Sequence, residues 1–291
     1  MIQDIEPQKL HNEYMDRTPE PNDYVLTYSD GKILVRDGKK LEYLTYQEYA
    51  RHGGREAVYL FSVDEKRFFL ARSAVSSVDG YHYCPMHEVR QYSPKEQVLA
   101  AATGWHLFLW YQNNRFCGRC GKPTIHDEKQ RMLKCSCGNM IFPKIAPAVI
   151  VGVTKGDEIL LTKYANRTYT RYALIAGFTE IGETAEETVR REVMEEVGLK
   201  VKHITYYKSQ PWGFDSNLLF GFFCEVDGDS GIRLDREELA VGEWVRRQDV
   251  PAYTEGLSLT HEMMDVFRTG KEHISGLSGK AKEIDGSEDI I

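Results

Sequence analysis

From Tyr24 to about Arg72 the chain alternates short β-rich runs with turn signals: YVLTYS before Asp30-Gly31, ILVR before Asp37-Gly38, then AVYLFSV and RFFLAR around Asp64-Glu65. Such alternation predicts hairpins and a small β-dominated domain. After Pro94 the period changes. The length and apolar richness of KEQVLAAATGWHLFLWYQ predict a helix with a large buried face, in spite of Gly104. Further on, APAVIVGVT, DEILLTKYA and YTRYALIAG read as strands, and a strongly patterned helix follows from about Thr184 to Val197. Next come VKHITYYKSQ, NLLFGFFCEV and a helical stretch near LSLTHEMMDVFRTG, an order that predicts a mixed sheet with helices. The last stretch, KEHISGLSGKAKEIDGSEDII, is polar and free of aromatics, which predicts a mobile tail over 271–291.

Composition changes this picture little. A chain of 291 residues with 42% hydrophobic content can bury a sizeable core and is long enough for two domains with a small module between them. A net charge of −7 argues against a general polyanion-binding surface, so any affinity for phosphate must be local. The start, MIQDIEPQKLHNEYMDR, lacks a basic stretch followed by an apolar one, and no later window approaches the roughly 18 apolar residues of a membrane-spanning helix. The expectation is a cytoplasmic protein with no membrane partner.

Four of the six cysteines, Cys117, Cys120, Cys135 and Cys137, crowd into 21 positions, while Cys84 and Cys224 stand apart. That distribution suits one metal site better than a disulfide framework. The pairs Cys117-Gly-Arg-Cys120 and Cys135-Ser-Cys137 are separated by 14 residues, and each is followed by glycine, which suits two tight turns presenting thiolates to a tetrahedral zinc ion. Four thiolates leave no open coordination position, so this zinc is expected to be structural. The competing readings are unrelated cysteines and a redox pair. Cys84 and Cys224 are expected to be inert, partly buried thiols.

The segment GFTEIGETAEETVRREVMEEVGL, residues 177 to 199, carries the second candidate chemistry. Thr184 and Glu187 form a potential capping box, and Gly198 is a natural helix stop. At 100° per residue Ala185, Val189, Val193 and Val197 form one apolar stripe, while Glu192, Glu195 and Glu196 fall in an adjoining sector about 100° wide. Glu196 lies within the angular range of the stripe, where an unpaired carboxylate is costly to desolvate and a bound cation removes the penalty. Oxygen-rich ligands select hard ions such as Mg²⁺ or Mn²⁺. The plain alternative is a solvated acidic face. Arg191 and Glu183 are expected to pair and brace the loop.

Residues 177 to 199 fit the pattern G-x5-E-x7-R-E-U-x-E-E-x-G-U at every specified position and so resemble the Nudix hydrolase signature. With a cysteine module ahead of it, the larger arrangement resembles the NADH pyrophosphatase (NAD⁺ diphosphatase) branch. The resemblance covers about residues 90 to 268 and, joined to the strand pattern before it, implies an α+β protein: a β-rich N-terminal domain over 1–93, a connecting helix over 94–114, a zinc ribbon over 115–143 and a Nudix α/β/α sandwich with a mixed sheet over 144–270. It also implies that Glu192, Glu196 and the backbone carbonyl of Ala176 are metal ligands, that Glu195 assists as ligand or base, and that Glu238 occupies a further metal-ligand position.

About ten residues past the box, SQPWGFDSNLL (209–219) resembles the branch's S-Q-P-W-P-F-P-x-S-L-M motif. Gly213 and Asp215 replace prolines there, Asn217 replaces serine and Leu219 replaces methionine, which predicts a more flexible loop. The rings of Trp212 and Phe214 offer stacking surfaces beside Pro211, while Gln210, Ser216 and Asn217 offer hydrogen bonds for ribose or amide groups. Asp215 adds a negative charge that is unhelpful near a diphosphate unless it faces solvent or a cation. By the same resemblance Phe178 stacks on a base, Arg90 contacts substrate, Phe142 stands where the family often has tyrosine, and Thr260 aligns with a small pocket residue.

The implied activity is hydrolysis of NAD(H) to nicotinamide mononucleotide and AMP by metal-activated water, in a homodimer. Alternatives are a diphosphatase for another dinucleotide such as ADP-ribose or FAD, an enzyme that removes an NAD cap from RNA, and a non-catalytic nucleotide or RNA sensor.

Overall fold

The turn signals of the first 72 residues become turns because their residues tolerate left-handed backbone. Asp30 (φ 48°) and Gly31 (φ 74°) both adopt it between the paired strands Tyr28–Ser29 and Lys32–Arg36, as a type I′ hairpin requires. Asp64 (φ 49°) does so between the antiparallel strands Ala57–Val63 and Lys66–Ala71. In the computed structural model, which describes residues 1–166, 170–253 and 256–272, the chain divides into two compact units. One comprises Met1–Ala146 with Pro211–Leu218, the other Pro147–Gln210 with Leu219–Ile291.

The first unit contains a five-stranded sheet in the order Leu10–His11, Ala57–Val63, Lys66–Ala71, Tyr24–Leu26, Leu44–Thr45, and a three-stranded sheet of Tyr28–Ser29, Lys32–Arg36 and Tyr81–Pro85. Val25, Leu34, Leu44, Tyr49, Tyr59 and Phe69 form a core between them. A short helix, Tyr46–Arg51, was not foreseen; the Thr45/Glu48 capping box that starts it is legible in the sequence. Lys95–Asn113 is the expected long helix. Gly104 is tolerated in its interior because strand residues press on it: a Cβ there would lie 2.4 Å from Leu26 Cδ1 and 2.5 Å from the Tyr28 hydroxyl, which donates to the Ala101 carbonyl at 2.8 Å. The cysteine module follows, with three two-residue strands, Ile125–His126, Leu133–Lys134 and Met140–Ile141.

The second unit is built on a six-stranded sheet. Val201–Trp212, Asn217–Val226, Ala146–Lys155, Glu158–Tyr164 and Leu239–Arg246 lie in that order, and Ile175–Phe178 pairs with Ala146–Lys155. Leu239–Arg246 was not foreseen as a strand, because its polar and apolar positions alternate imperfectly. Among its described residues the YTRYALIAG run enters the strand Ile175–Phe178 and makes an isolated bridge from Ala173 to Thr162. The box helix spans Ala185–Val197, capped by Thr184 and Glu187 and stopped by Gly198 at φ 69°. Val189, Val193 and Val197, all fully buried, join Val149, Val151, Leu160 and Ile175 in the core, with Ala185 packed against it. A last helix, Leu259–Arg268, closes the unit. The expected tail falls largely on 273–291, outside the described residues. Among the described residues no helix is long and apolar enough to cross a membrane.

One expectation about the segment after the box changes. Gly213, expected to loosen the segment, is buried where a Cβ would stand 2.2 Å from the Ala102 carbonyl oxygen. Trp105 Nε1 donates to the Phe214 carbonyl at 3.3 Å, and the Ala146 N–H donates to the Ser216 carbonyl at 3.0 Å. Close backbone packing on the long helix, rather than freedom, is what glycine provides there.

Candidate active site

The box helix presents its carboxylates over the strand Ile175–Phe178. Glu192 and Glu196 are buried, the latter only 3% exposed, whereas Glu195 is open to solvent. Gly177 makes the approach possible, since a Cβ on it would fall 1.9 Å from the Glu192 carboxyl carbon. The Ala176 N–H points at Glu196 Oε1, 3.4 Å away. The N–H and C=O of one strand residue project to the same side, so the Ala176 carbonyl faces the side on which Glu196 lies.

Arg191 organises the acids. Its Nε and one terminal nitrogen hold the two oxygens of Glu183 at 2.6 and 2.9 Å, and that terminal nitrogen also donates to the Phe178 carbonyl at 2.8 Å. The other terminal nitrogen bridges Glu192 at 2.7 Å and Glu195 at 2.9 Å. The brace between Arg191 and Glu183 was expected; the bridge to the box carboxylates was not, although the four-residue spacing of Arg191 and Glu195 signals it. The Arg191 guanidinium pulls the Glu183 carboxyl down to about 2. Burial pushes Glu192 above the ordinary carboxylate range, Arg191 opposes the shift, and the charges of Glu195 and Glu238 add to it.

The three box acids do not converge as the helical wheel implied. Among the described residues the one group of three or more metal-ligating side chains whose donor atoms all lie within 4.8 Å of one another is Cys117, Cys120, Cys135 and Cys137. Glu192 and Glu195 meet through a shared guanidinium nitrogen instead of directly, and Glu196 turns toward the strand.

The cysteines fit zinc. Cys117 and Cys137 Sγ are 3.7 Å apart and Cys120 and Cys135 Sγ 3.4 Å, against about 3.8 Å for the edge of a tetrahedron with 2.3 Å Zn–S bonds. Although burial opposes it, the N–H groups of Arg119 and Cys120 together with the Asn139 amide lower the Cys117 thiol to about 6, which favours the thiolate a metal needs. Cys84 and Cys224 are buried, and burial pushes the Cys224 thiol up to about 12, as inert packing residues.

The residues expected to contact substrate divide between the units. Gln210 is a correction. It is fully buried, its Oε1 accepts the Leu259 N–H at 2.7 Å and its Nε2 donates to the Leu257 carbonyl at 2.8 Å, so it clips the start of the last helix rather than offering its amide to a ligand. Thr260 is the second residue of that helix. Phe178 is 56% exposed beside the acids. In the first unit, Trp212 and Phe214 have ring centroids 5.0 Å apart, and Asp215 Oδ2 accepts from the Trp212 indole N–H at 2.9 Å, giving that substituted carboxylate a partner. Pro211 is exposed, Ser216 turns the chain at φ 60°, and Asn217 Oδ1 is buried without a hydrogen-bond partner. Arg90 is exposed at the end of the short helix Met86–Val89, and Phe142 is 51% exposed after the third ribbon strand. Trp105, which anchors Phe214, was missed: an aromatic on a long apolar helix reads as core.

Residues 144–265 match the NUDIX domain family, and residues 112–142 match the NADH pyrophosphatase zinc ribbon domain. Curated relatives include the NAD-capped RNA hydrolases NudC of Salmonella typhimurium, 39% identical over 169 residues, and of Citrobacter koseri, 38% identical over the same length. Each match covers 57% of this chain and 65% of the relative, a little under two thirds of its length. Among solved structures, a NUDIX hydrolase from Nitrosomonas europaea covers 55% of this chain and 93% of its own at 21% identity, with a TM-score of 0.47.

Proposed function

We propose, for a chain that belongs to the Nudix superfamily and carries the NADH pyrophosphatase zinc ribbon ahead of its Nudix domain, that it hydrolyses the diphosphate bond of NAD(H) to nicotinamide mononucleotide and AMP. The observation that carries this reading is the pair of buried carboxylates, Glu192 and Glu196, over a glycine-cleared strand, with Glu192 held by an arginine that also binds Glu183 and Glu195. A solvated acidic face does not bury two of its acids.

The donor set fits a hard divalent cation, being all oxygen, partly buried and in excess of its one arginine. Glu192, Glu196 and the Ala176 carbonyl would hold Mg²⁺ or Mn²⁺, with Glu195 and Glu238 beside them. Such an ion, when bound, neutralises the diphosphate and lowers the pKa of an attacking water. The chain's own residues do the rest. Arg191 fixes the orientation of Glu192 and Glu195 at two separate hydrogen bonds. Glu195, the solvent-facing acid, takes the proton from water. Phe178 offers its exposed ring to a base, and Trp212, Phe214, Asn217, Ser216, Arg90, Phe142 and Thr260 are assigned to the remainder of the substrate. The cysteine-bound zinc keeps the ribbon folded and takes no part in the chemistry. A cytoplasmic homodimer is proposed on the family resemblance.

A second reading follows from the relatives' names: the dinucleotide is an NAD cap on RNA. The test is a panel of NADH, NAD⁺, ADP-ribose, FAD and NAD-capped RNA with Mg²⁺ or Mn²⁺. The highest kcat/KM is expected on a nicotinamide-bearing substrate. Preference for ADP-ribose or FAD would overturn the substrate while leaving the reaction class, and no turnover on any would favour a sensor. Light scattering that gives a monomer at micromolar concentration would contradict the dimer.

A further inference from the structure

The first unit contains a cavity of about 850 Å³ lined by the segment Asp16–Pro19, the β-rich domain and the cysteine module. Four guanidiniums border it: Arg17, Arg55, Arg72 and Arg115, all exposed, facing two carboxylates, Asp16 and Glu56. None of the four has an ion-pair partner among the described residues; Arg72 lies 5.8 Å over the Tyr111 ring and Arg17 the same distance over Tyr59. In a chain of net charge −7 this is a concentration of unneutralised positive charge. The floor is ordered. His126 accepts or donates at both ring nitrogens, 2.7 Å from the Tyr111 hydroxyl and 3.1 Å from that of Tyr14, and its ring stacks on Tyr111 at 5.7 Å. At the rim the Phe116 ring is 59% exposed and Tyr46 is half-buried.

Guanidinium forks match phosphate oxygens, and exposed rings accept bases whatever their sequence. The volume lies within the range of small-molecule sites and takes a nucleotide. We propose that this cleft binds a phosphorylated nucleotide unit, presented either by a single-stranded RNA or by a free mononucleotide. No lining residue belongs to the unit that carries the box, so binding here stands or falls separately from hydrolysis at Glu192 and Glu196.

The test measures fluorescence anisotropy of an uncapped, labelled ten-nucleotide single-stranded RNA with the full chain at low salt, using AMP as competitor. The variants are Arg72→Gln/Arg115→Gln, Arg17→Gln/Arg55→Gln and Glu196→Gln. Because the four arginines are exposed, each double variant should keep its thermal midpoint within a few degrees while weakening RNA binding at least tenfold, and Glu196→Gln should leave binding unchanged. Affinity should also fall steeply with salt, by about 0.7 in log-log slope per phosphate contacted. Displacement by AMP would show that one nucleotide suffices; tight RNA binding without displacement by AMP would place the recognition in the strand. Absence of binding by both ligands, or RNA affinity indifferent to both double variants, overturns the proposal. Failure to hydrolyse any dinucleotide leaves this result untouched.

Discussion

Two polar segments, the box and 209–219, use their side chains in opposite ways. In the box, Arg191 gathers Glu183, Glu192 and Glu195, so more carboxylate charge stands there than its one guanidinium neutralises. In 209–219 polar groups serve the fold: Gln210 is consumed by two main-chain groups, and Asp215 by the Trp212 indole. Charge held in surplus marks where chemistry is available, whereas polar groups matched one to one with backbone mark where the fold is being secured. Substitutions in the first segment should therefore change rate more than stability, and those in the second the reverse.

The largest effect is expected from Glu192→Gln, which removes a charged oxygen donor and keeps the shape: NADH turnover should fall by roughly a hundredfold or more with little change in urea midpoint. A midpoint that falls as far as the rate would make Glu192 structural. Gln210→Leu should destabilise by roughly 2–4 kcal/mol, since the Leu259 N–H and Leu257 carbonyl lose a buried partner. Urea unfolding measures it, and a loss confined to KM would return Gln210 to the binding site.

Gly213→Pro, which restores the residue typical of the resembling motif, should cost about 1–3 kcal/mol through collision with the Ala102 carbonyl. A more stable variant would show that the segment is loose after all. Smaller still is a pH effect. Glu183 is held at about 2 by Arg191, below its ordinary 4.5, so it stabilises the fold fully above 4.5 and loses that contribution as pH falls through 2. Glu183→Gln should flatten this acid limb of the stability profile, and an unchanged limb would assign it elsewhere. The least effect is expected of Asp215→Asn, which keeps an acceptor for Trp212: stability should move by less than about 0.5 kcal/mol.

The contrast also explains what was legible in the sequence. Periodicity, Thr184, Glu187 and Gly198 set the box helix, and the valine stripe fixed which face it buries, because these signals are local. The cysteine spacing was equally local. What escaped depended on contacts between distant segments. Gly213 acquires its meaning only from Ala102, more than a hundred positions away, and Gln210 only from Leu257 and Leu259. Even within the box, the wheel placed three acids in one sector yet could not show that Arg191 would stand between two of them.

The central claim concerns the buried carboxylates of the box. Its most direct test incubates the full chain with NADH and Mn²⁺ and resolves the products chromatographically, comparing wild type with Glu196→Gln at matched thermal midpoint. The account predicts equimolar reduced nicotinamide mononucleotide and AMP from the wild type and at least a hundredfold less from the variant. Equal product from both, or no cleavage of NADH by the wild type, would contradict it.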